Sequence, residues 1–191
     1  MSTIIDSSVA AALEVLKRGG VILYPTDTVW GIGCDATDEA AVARVFEIKR
    51  RSEAKSLVLL ACDLDMVAKH VRTIPSIAID LVEVNDAPMT IIYPGAQYLA
   101  PNVIAEDGSV GIRIPLNEFC VQLVRKLRRP LVSTSANVSG EQTPSCFAEI
   151  SPEIVSAVDY VAPAALERGS TGRASQIIKV GLRGEVEIIR P

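Results

Sequence analysis

Three stretches of the chain gather side chains able to hold a small polar ligand or a phosphate. The first is Tyr24-Pro25-Thr26-Asp27-Thr28-Val29-Trp30-Gly31-Ile32-Gly33. It sets hydroxyls and a carboxylate behind a proline and then uses two glycines. Hydroxyls and backbone N–H groups at a strand end can bind a compact polar molecule. The same residues also suit a tight turn whose Thr and Asp side chains cap their own backbone. The second is Lys49-Arg50-Arg51 with Lys55, four cations that either complement a helix C-terminus or grip polyphosphate at the lip of a sheet. The third is Ser133-Thr134-Ser135-Ala136-Asn137-Val138-Ser139-Gly140. It is a run of small hydroxyl and amide groups that leaves room for a ligand, and it is more polar than an ordinary Ser/Thr turn requires. Arg113, inside Gly111-Ile112-Arg113-Ile114, must face a cleft or a buried ion-pair partner. A further basic run, Arg125-Lys126-x-Arg128-Arg129, reads mainly as a solvated helix end, with nucleic-acid contact as the alternative.

These groups need a scaffold. Asp6 or Ser7 can cap a helix with Val9, Leu13 and Leu16 on one face, ended by Gly19-Gly20. Asp38 can open a second, with Val42, Val45, Phe46 and Lys49 at helical spacing. Further helical patterns cover 63–70, 75–84 and 117–128. Apolar runs at 21–24, 56–61, 90–93, 109–114, 130–134, 175–180 and 185–189 read as strands. Interspersed helices and strands predict an α/β fold, a single domain over 1–191 with a mixed sheet and flanking helices. The polar stretch 139–145 reads as a surface loop rather than a boundary.

Composition narrows the chemistry. The chain has 191 residues, 49% of them hydrophobic and 22% charged, which is enough to bury a core without staples. A net charge of -4 excludes a globally basic nucleic-acid coat, though not a local basic patch. His70 is the one histidine, so helical two-His zinc sites are excluded and a Ser-His-Asp triad would have to use it. Cys34, Cys62, Cys120 and Cys146 have no CxxC spacing and read as buried thiols of a reducing cytoplasm. The N-terminus lacks a positively charged n-region and does not read as a signal peptide. No apolar run approaches the roughly 18 residues of a membrane span, so no membrane partner is expected. Gly31-x-Gly33-x-x-Ala36 matches a degenerate dinucleotide fingerprint, but the glycines do not directly follow the strand as that motif requires.

The ordered set Tyr24-Pro25-Thr26-Asp27-Thr28, Gly31-x-Gly33, Lys49-x-Arg51 and Ser135-Ala136-Asn137-x-Ser139-Gly140 resembles the YrdC-like domain family, from about residue 5 to the C-terminus. The resemblance implies a twisted open sheet with a concave basic cavity. It also implies synthesis of L-threonylcarbamoyladenylate from L-threonine, bicarbonate and ATP, with release of pyrophosphate, for the t6A modification of tRNA. By motif position it implies Thr28, Arg113, Ser135 and Ser175 on the threonine side. Arg51, Lys55, Ser109, Asn137, Ser145 and Arg190 fall on the ATP side, with Lys49 lining the same cavity and Lys49 and Arg51 catalytic. Four positions depart from the family pattern: Asp86-Ala87-Pro88-Met89-Thr90 for Pro-Gly-Pro-x-Thr, Trp30 for a tyrosine, Ser175-Gln176 for Ser-Thr, and Leu60 for the histidine of some members.

Such a reaction requires no protein nucleophile. A carbamate formed on threonine's amine attacks the α-phosphate, so positioning and cations suffice. Mg²⁺ would be carried with ATP rather than held in a protein cage. The expected partners are the three substrates, downstream threonylcarbamoyl-transfer proteins and, by direct contact, tRNA or double-stranded RNA. Two other readings stand beside this one: a double-stranded-RNA-binding module of the same fold, and a paralogous enzyme with another carbamoyl or amino-acid substrate.

Overall fold

The computed structural model describes residues 2–50 and 57–191. Chain order gives α1 (Ser2–Lys17), β1 (Ile22–Tyr24), β2 (Gly31–Gly33), α2 (Glu39–Ile48), β3 (Val58–Leu60), α3 (Leu64–His70), α4 (Ser76–Val84), β4 (Met89–Tyr93) and β5 (Val110–Arg113). Then follow α5 (Glu118–Leu127), β6 (Leu131–Ser135), α6 (Pro152–Ala157), β7 (Tyr160–Val161), β8 (Gln176–Val180) and β9 (Val186–Arg190). The strands form one twisted sheet in the order β7-β1-β2-β6-β3-β5-β4-β8-β9. The pairs β1–β7, β3–β5 and β4–β8 are parallel and the other neighbours antiparallel, so the sheet is mixed as the α/β pattern predicts. Helix α1 packs on α5 and against β1 and β7.

The first helix starts earlier than the expected Asp6 or Ser7 cap. Ile5 joins Val9, Ala12 and Leu16 in one buried stripe, and that added apolar contact carries the helix back to Ser2. Asp6 and Ser7 thus lie inside it, and the Ser7 hydroxyl donates to the Ile4 carbonyl at 3.1 Å. Gly19, at φ 75°, ends it in the left-handed conformation. The expected Asp38 cap holds, accepting from the Ala41 amide, and the structure adds two more: Asp63 accepts from Met66 and Asn117 from Cys120.

Strand β2 consists of Gly-Ile-Gly, which propensity alone reads as loop. Its second glycine is a steric necessity. A Cβ on Gly33 would lie 2.1 Å from the Val132 carbonyl oxygen and 2.9 Å from the Tyr24 ring. The Tyr24 hydroxyl crosses over this strand to donate to Val132 O at 2.9 Å. Gly33 therefore serves close strand packing, and Gly31 stands in the wall of a cavity described below.

From β7, at one edge, the chain returns across the sheet to β8 near the other. Residues 170–172 of this crossing are pinned to the β1–β2 loop. Ser170 Oγ donates to Thr26 O, the Thr171 amide to Asp27 O at 3.0 Å, and the Gly172 amide to Thr28 O at 2.8 Å. The crossing thus forms a strap tied to the loop that carries Thr28. Among the described residues no helix is long and apolar enough to span a membrane.

Candidate functional site

Two adjoining chambers open on the sheet. The first, of about 270 Å³, is walled by Thr28, Trp30, Arg113, Ser135, Ser175 and Arg190, among others. The second, of about 480 Å³, has Leu57, Gly111, Val110 and Ile189 around it and Ser109 and Lys179 at its polar side. Val58 and Ile177 belong to both walls, so the two chambers are direct neighbours.

Thr28 reaches the first chamber from a loop ordered by Thr26. The Thr26 hydroxyl donates its single proton to Val29 O at 2.8 Å. It accepts from the Thr28 amide at 3.0 Å and lies 2.8 Å from the Thr28 hydroxyl. Since Thr26 has no second proton, Thr28 is the donor between the two hydroxyls, which leaves Thr28 Oγ1 as an acceptor toward the chamber. Turn capping and ligand presentation are thus divided between two threonines of one motif.

Arg113 ends β5 and is only 4% exposed. Its guanidinium pairs with the buried Asp27 carboxylate, whose other oxygen accepts from the Leu116 amide at 3.0 Å. The expected alternatives, cleft or ion pair, are therefore both realised. Arg190 enters from β9, its Nε and Nη2 donating to the Ser175 carbonyl at 2.9 and 2.7 Å. Burial, and then the charge of Arg113, lowers the pKa of Arg190 from its usual value, so two guanidinium groups share one cavity. The Ser175 hydroxyl is 2.8 Å from the hydroxyl of the buried Thr90. Trp30 is held from behind: its indole N–H donates to Glu167 at 2.7 Å and its ring lies 4.9 Å from that of Phe147.

Lys49 caps α2 and is 2% exposed. Its ammonium donates to the carbonyls of Ser135 at 2.5 Å and Asn137 at 2.7 Å. It is not among the described residues that wall either chamber. Instead it lies beneath the Ser135-x-Asn137 loop and fixes that loop's carbonyls. Asn137 completes the turn, its amide donating to Val138 O and Glu141 O at 3.0 and 2.9 Å; among the described residues its Oδ1 is buried without a partner.

Ser109 walls the second chamber, and its hydroxyl donates to Asp107 at 2.5 Å. Hydrogen bonds from Lys179 first and Ser109 second hold the Asp107 carboxyl at a pKa of about 2. Ser145 is exposed and bonded to Glu149. It borders the strap, 3.7 Å from where a Cβ of Gly172 would sit, but is in neither wall. Arg51 and Lys55 lie outside the described residues. Residue spacing did not single out Asp27, Thr90, Lys179 or Glu167. Asp27 sat in plain view between two threonines, whereas Thr90, Lys179 and Glu167 are remote in sequence from the groups they hold.

No group of three or more His, Cys, Asp or Glu gathers among the described residues. The carboxylates in the second chamber's wall are Glu106 and Asp107, and Asp107 is engaged by Lys179 at 2.8 Å. The cavity thus offers guanidinium, hydroxyl and amide groups suited to carboxylate and phosphate oxygens.

Comparison with known proteins agrees with this arrangement. The sequence profile of the Sua5/YciO/YrdC family, described as telomere recombination, matches residues 14–191. A threonylcarbamoyl-AMP synthase of Xanthomonas euvesicatoria is 34% identical over 169 residues, covering 87% of this chain and 89% of that protein. Two solved structures share the fold. The P. abyssi Sua5 complexed with L-threonine has a TM-score of 0.80 and 24% identity over 90% of this chain, and this chain spans 50% of its length. The E. coli YciO structure has a TM-score of 0.78 and 23% identity over 95% of this chain and 87% of that one. The chain belongs to the Sua5/YciO/YrdC family.

Proposed function

We propose that this protein is a threonylcarbamoyl-AMP synthase, condensing L-threonine, bicarbonate and ATP to threonylcarbamoyl-AMP, pyrophosphate and water. The observation that carries this reading is the pairing of the chambers. A small polar one, with an arginine fixed by a buried carboxylate, shares a wall with a larger one floored by aliphatic side chains and Gly111. The first suits a compact amino acid and the second a planar base with its sugar.

Arg113 takes the threonine carboxylate in this reading, and Thr28 Oγ1 accepts from the amine. Ser135 and Ser175 close the amino-acid side. Once the amine has formed a carbamate, the carbamate oxygen attacks the α-phosphate and pyrophosphate departs. Arg190, Arg51 and Lys55 stabilise the phosphate charge, and Ser109 sits on the nucleotide side. Asn137 and Ser145 order the loops around the nucleotide. Lys49 contributes by holding the Ser135 and Asn137 carbonyls away from the incoming phosphates. Mg²⁺ fits here as an ion carried on phosphate oxygens and water, with Glu106 the wall carboxylate not engaged by Lys179. The product would pass to a protein that transfers the threonylcarbamoyl group to tRNA. That acceptor, together with the four free cysteines, supports a cytoplasmic setting. Any direct RNA contact would use the exposed Arg125, Lys126 and Arg128.

Pyrophosphate release tests the reading. It should require L-threonine and bicarbonate together, and ATP turnover indifferent to threonine would refute it.

A further inference from the structure

Asp27 does not carry a side chain into the first chamber, yet it is the residue on which the chamber's geometry converges. Its carboxylate is about as buried as the arginine it meets, at 7% and 4% side-chain exposure. One oxygen engages Arg113 and the other accepts the Leu116 amide, just beyond the end of β5. Its own carbonyl accepts the Thr171 amide of the strap. One residue thereby ties together the loop that presents Thr28, the strand end that presents Arg113, and the strap that leads to Ser175. Both of its carboxylate oxygens have donors in fixed directions, and such a group can set the orientation of a guanidinium.

We propose that Asp27 is the positioning residue for substrate carboxylate recognition: it fixes one edge of the Arg113 guanidinium so that the remaining N–H groups face the amino acid. This rests on the reading that the first chamber takes L-threonine. The ion pair is a costly way to stabilise a fold, because two charges must be desolvated and well-packed apolar residues often do as well. A positioning role accounts for its presence beside a cavity. The second guanidinium, that of Arg190, is close enough for Arg113 to disfavour its charge. Asp27 also offsets the repulsion between the two, so that Arg113 stays in place before substrate arrives.

The effect should appear in the requirement for threonine and not in that for ATP. Asp27→Asn keeps the shape and can still accept from Leu116, but it withdraws the charge that orients Arg113. It should raise the threonine KM roughly 10- to 100-fold, the scale of one charged hydrogen bond, with the ATP KM within about threefold of wild type. Because Asp27 acts through Arg113, Asp27→Asn should add nothing to the threonine KM of Arg113→Gln. If Asp27→Asn does not fold, Asp27→Glu keeps the charge but shifts it by one methylene, and should still raise the threonine KM several-fold. An unchanged threonine KM in the folded variant, equal weakening of both substrates, or additive effects of Asp27→Asn and Arg113→Gln would overturn the proposal. Calorimetry of wild type with L-threonine separates the two levels. No binding there overturns the functional reading and this inference with it, whereas normal wild-type binding with an Asp27→Asn variant that binds equally well overturns this inference alone.

Discussion

The same residue types behave differently at two places in this molecule. Around the first chamber, Lys49 and Arg113 are 2% and 4% exposed, and each donates to fixed oxygens: carbonyls for Lys49, a carboxylate for Arg113. At the end of α5, Arg125, Lys126, Arg128 and Arg129 are exposed. One of these, Arg129, reaches a buried acid, Asp35 at 2.7 Å, with its own side chain still 58% exposed. Lys49 closes α2 much as Arg125 and Lys126 close α5, so in sequence those cations look alike, whereas Arg113 lies within a strand. Burial separates them. A desolvated cation must have partners, and those partners fix its direction, so it presents charge without reorganising. A solvated cation is screened by salt and contributes little to either stability or geometry.

Breaking the buried side should have the largest effect. Arg113→Met leaves Asp27 charged, buried and without its cation. It should cost about 3–5 kcal/mol of stability and at least about a hundredfold in threonine-dependent turnover, read from denaturant melts and a pyrophosphate assay. Wild-type melting would mean the pair carries no structural load. Lys49→Met removes two charge-assisted bonds to the Ser135 and Asn137 carbonyls and should cost about 2–3 kcal/mol. Amide hydrogen exchange would locate the damage: Ser139, whose N–H donates to Lys49 O at 2.9 Å, should lose protection first.

Thr28→Val tests a neutral partner in the same chamber. Losing one hydroxyl acceptor costs about 1 kcal/mol, so threonine affinity should fall roughly fivefold in a calorimetric titration while nucleotide affinity holds. His70 extends the comparison to a buried group outside the walls of both chambers. The residue is 8% exposed, its Nδ1 has no partner among the described residues, and burial lowers its pKa below 6.5. The unfolded chain therefore binds the proton more readily. The stability His70 contributes is complete above pH 6.5 and is lost as pH falls through the lower folded value. Melting temperature should drop between pH 7.5 and 5.5, and less in His70→Phe; identical pH profiles would contradict this. Lys126→Ala, on the solvated run, should change stability by no more than about 0.5 kcal/mol and leave turnover at wild-type level.

The elements were legible where periodicity and caps agree. Asp38 announces α2, the helical patterns at 63–70 and 117–128 match α3 and α5, and the apolar runs at β4, β6 and β8 lie within two residues of their strands. Three elements were hidden for physical reasons. Strand β2 is Gly-Ile-Gly because Tyr24 and Val132 exclude a Cβ at Gly33, β7 has only two residues, and α6 has six, too few to show a periodicity. The hydroxyl run at Ser133–Gly140 and the Thr28 loop pointed to the site because polar side chains were concentrated beyond need. The supports of the site left no such trace. Glu167 bonds Trp30 from 137 positions away, and Thr90 meets Ser175 across 85. Lys49, read as a cavity cation, turns inward because Ser135 and Asn137 point their carbonyls at it.

Mass spectrometry of a reaction with ATP, L-threonine, Mg²⁺ and ¹³C-bicarbonate tests the central claim most directly. A two-chamber site that joins an amino acid to a nucleotide predicts a threonylcarbamoyl-AMP ion one mass unit heavier than with unlabelled bicarbonate, absent when threonine is omitted. An ATP-derived product without the label, or no adenylate at all from folded protein that binds both substrates, would contradict it.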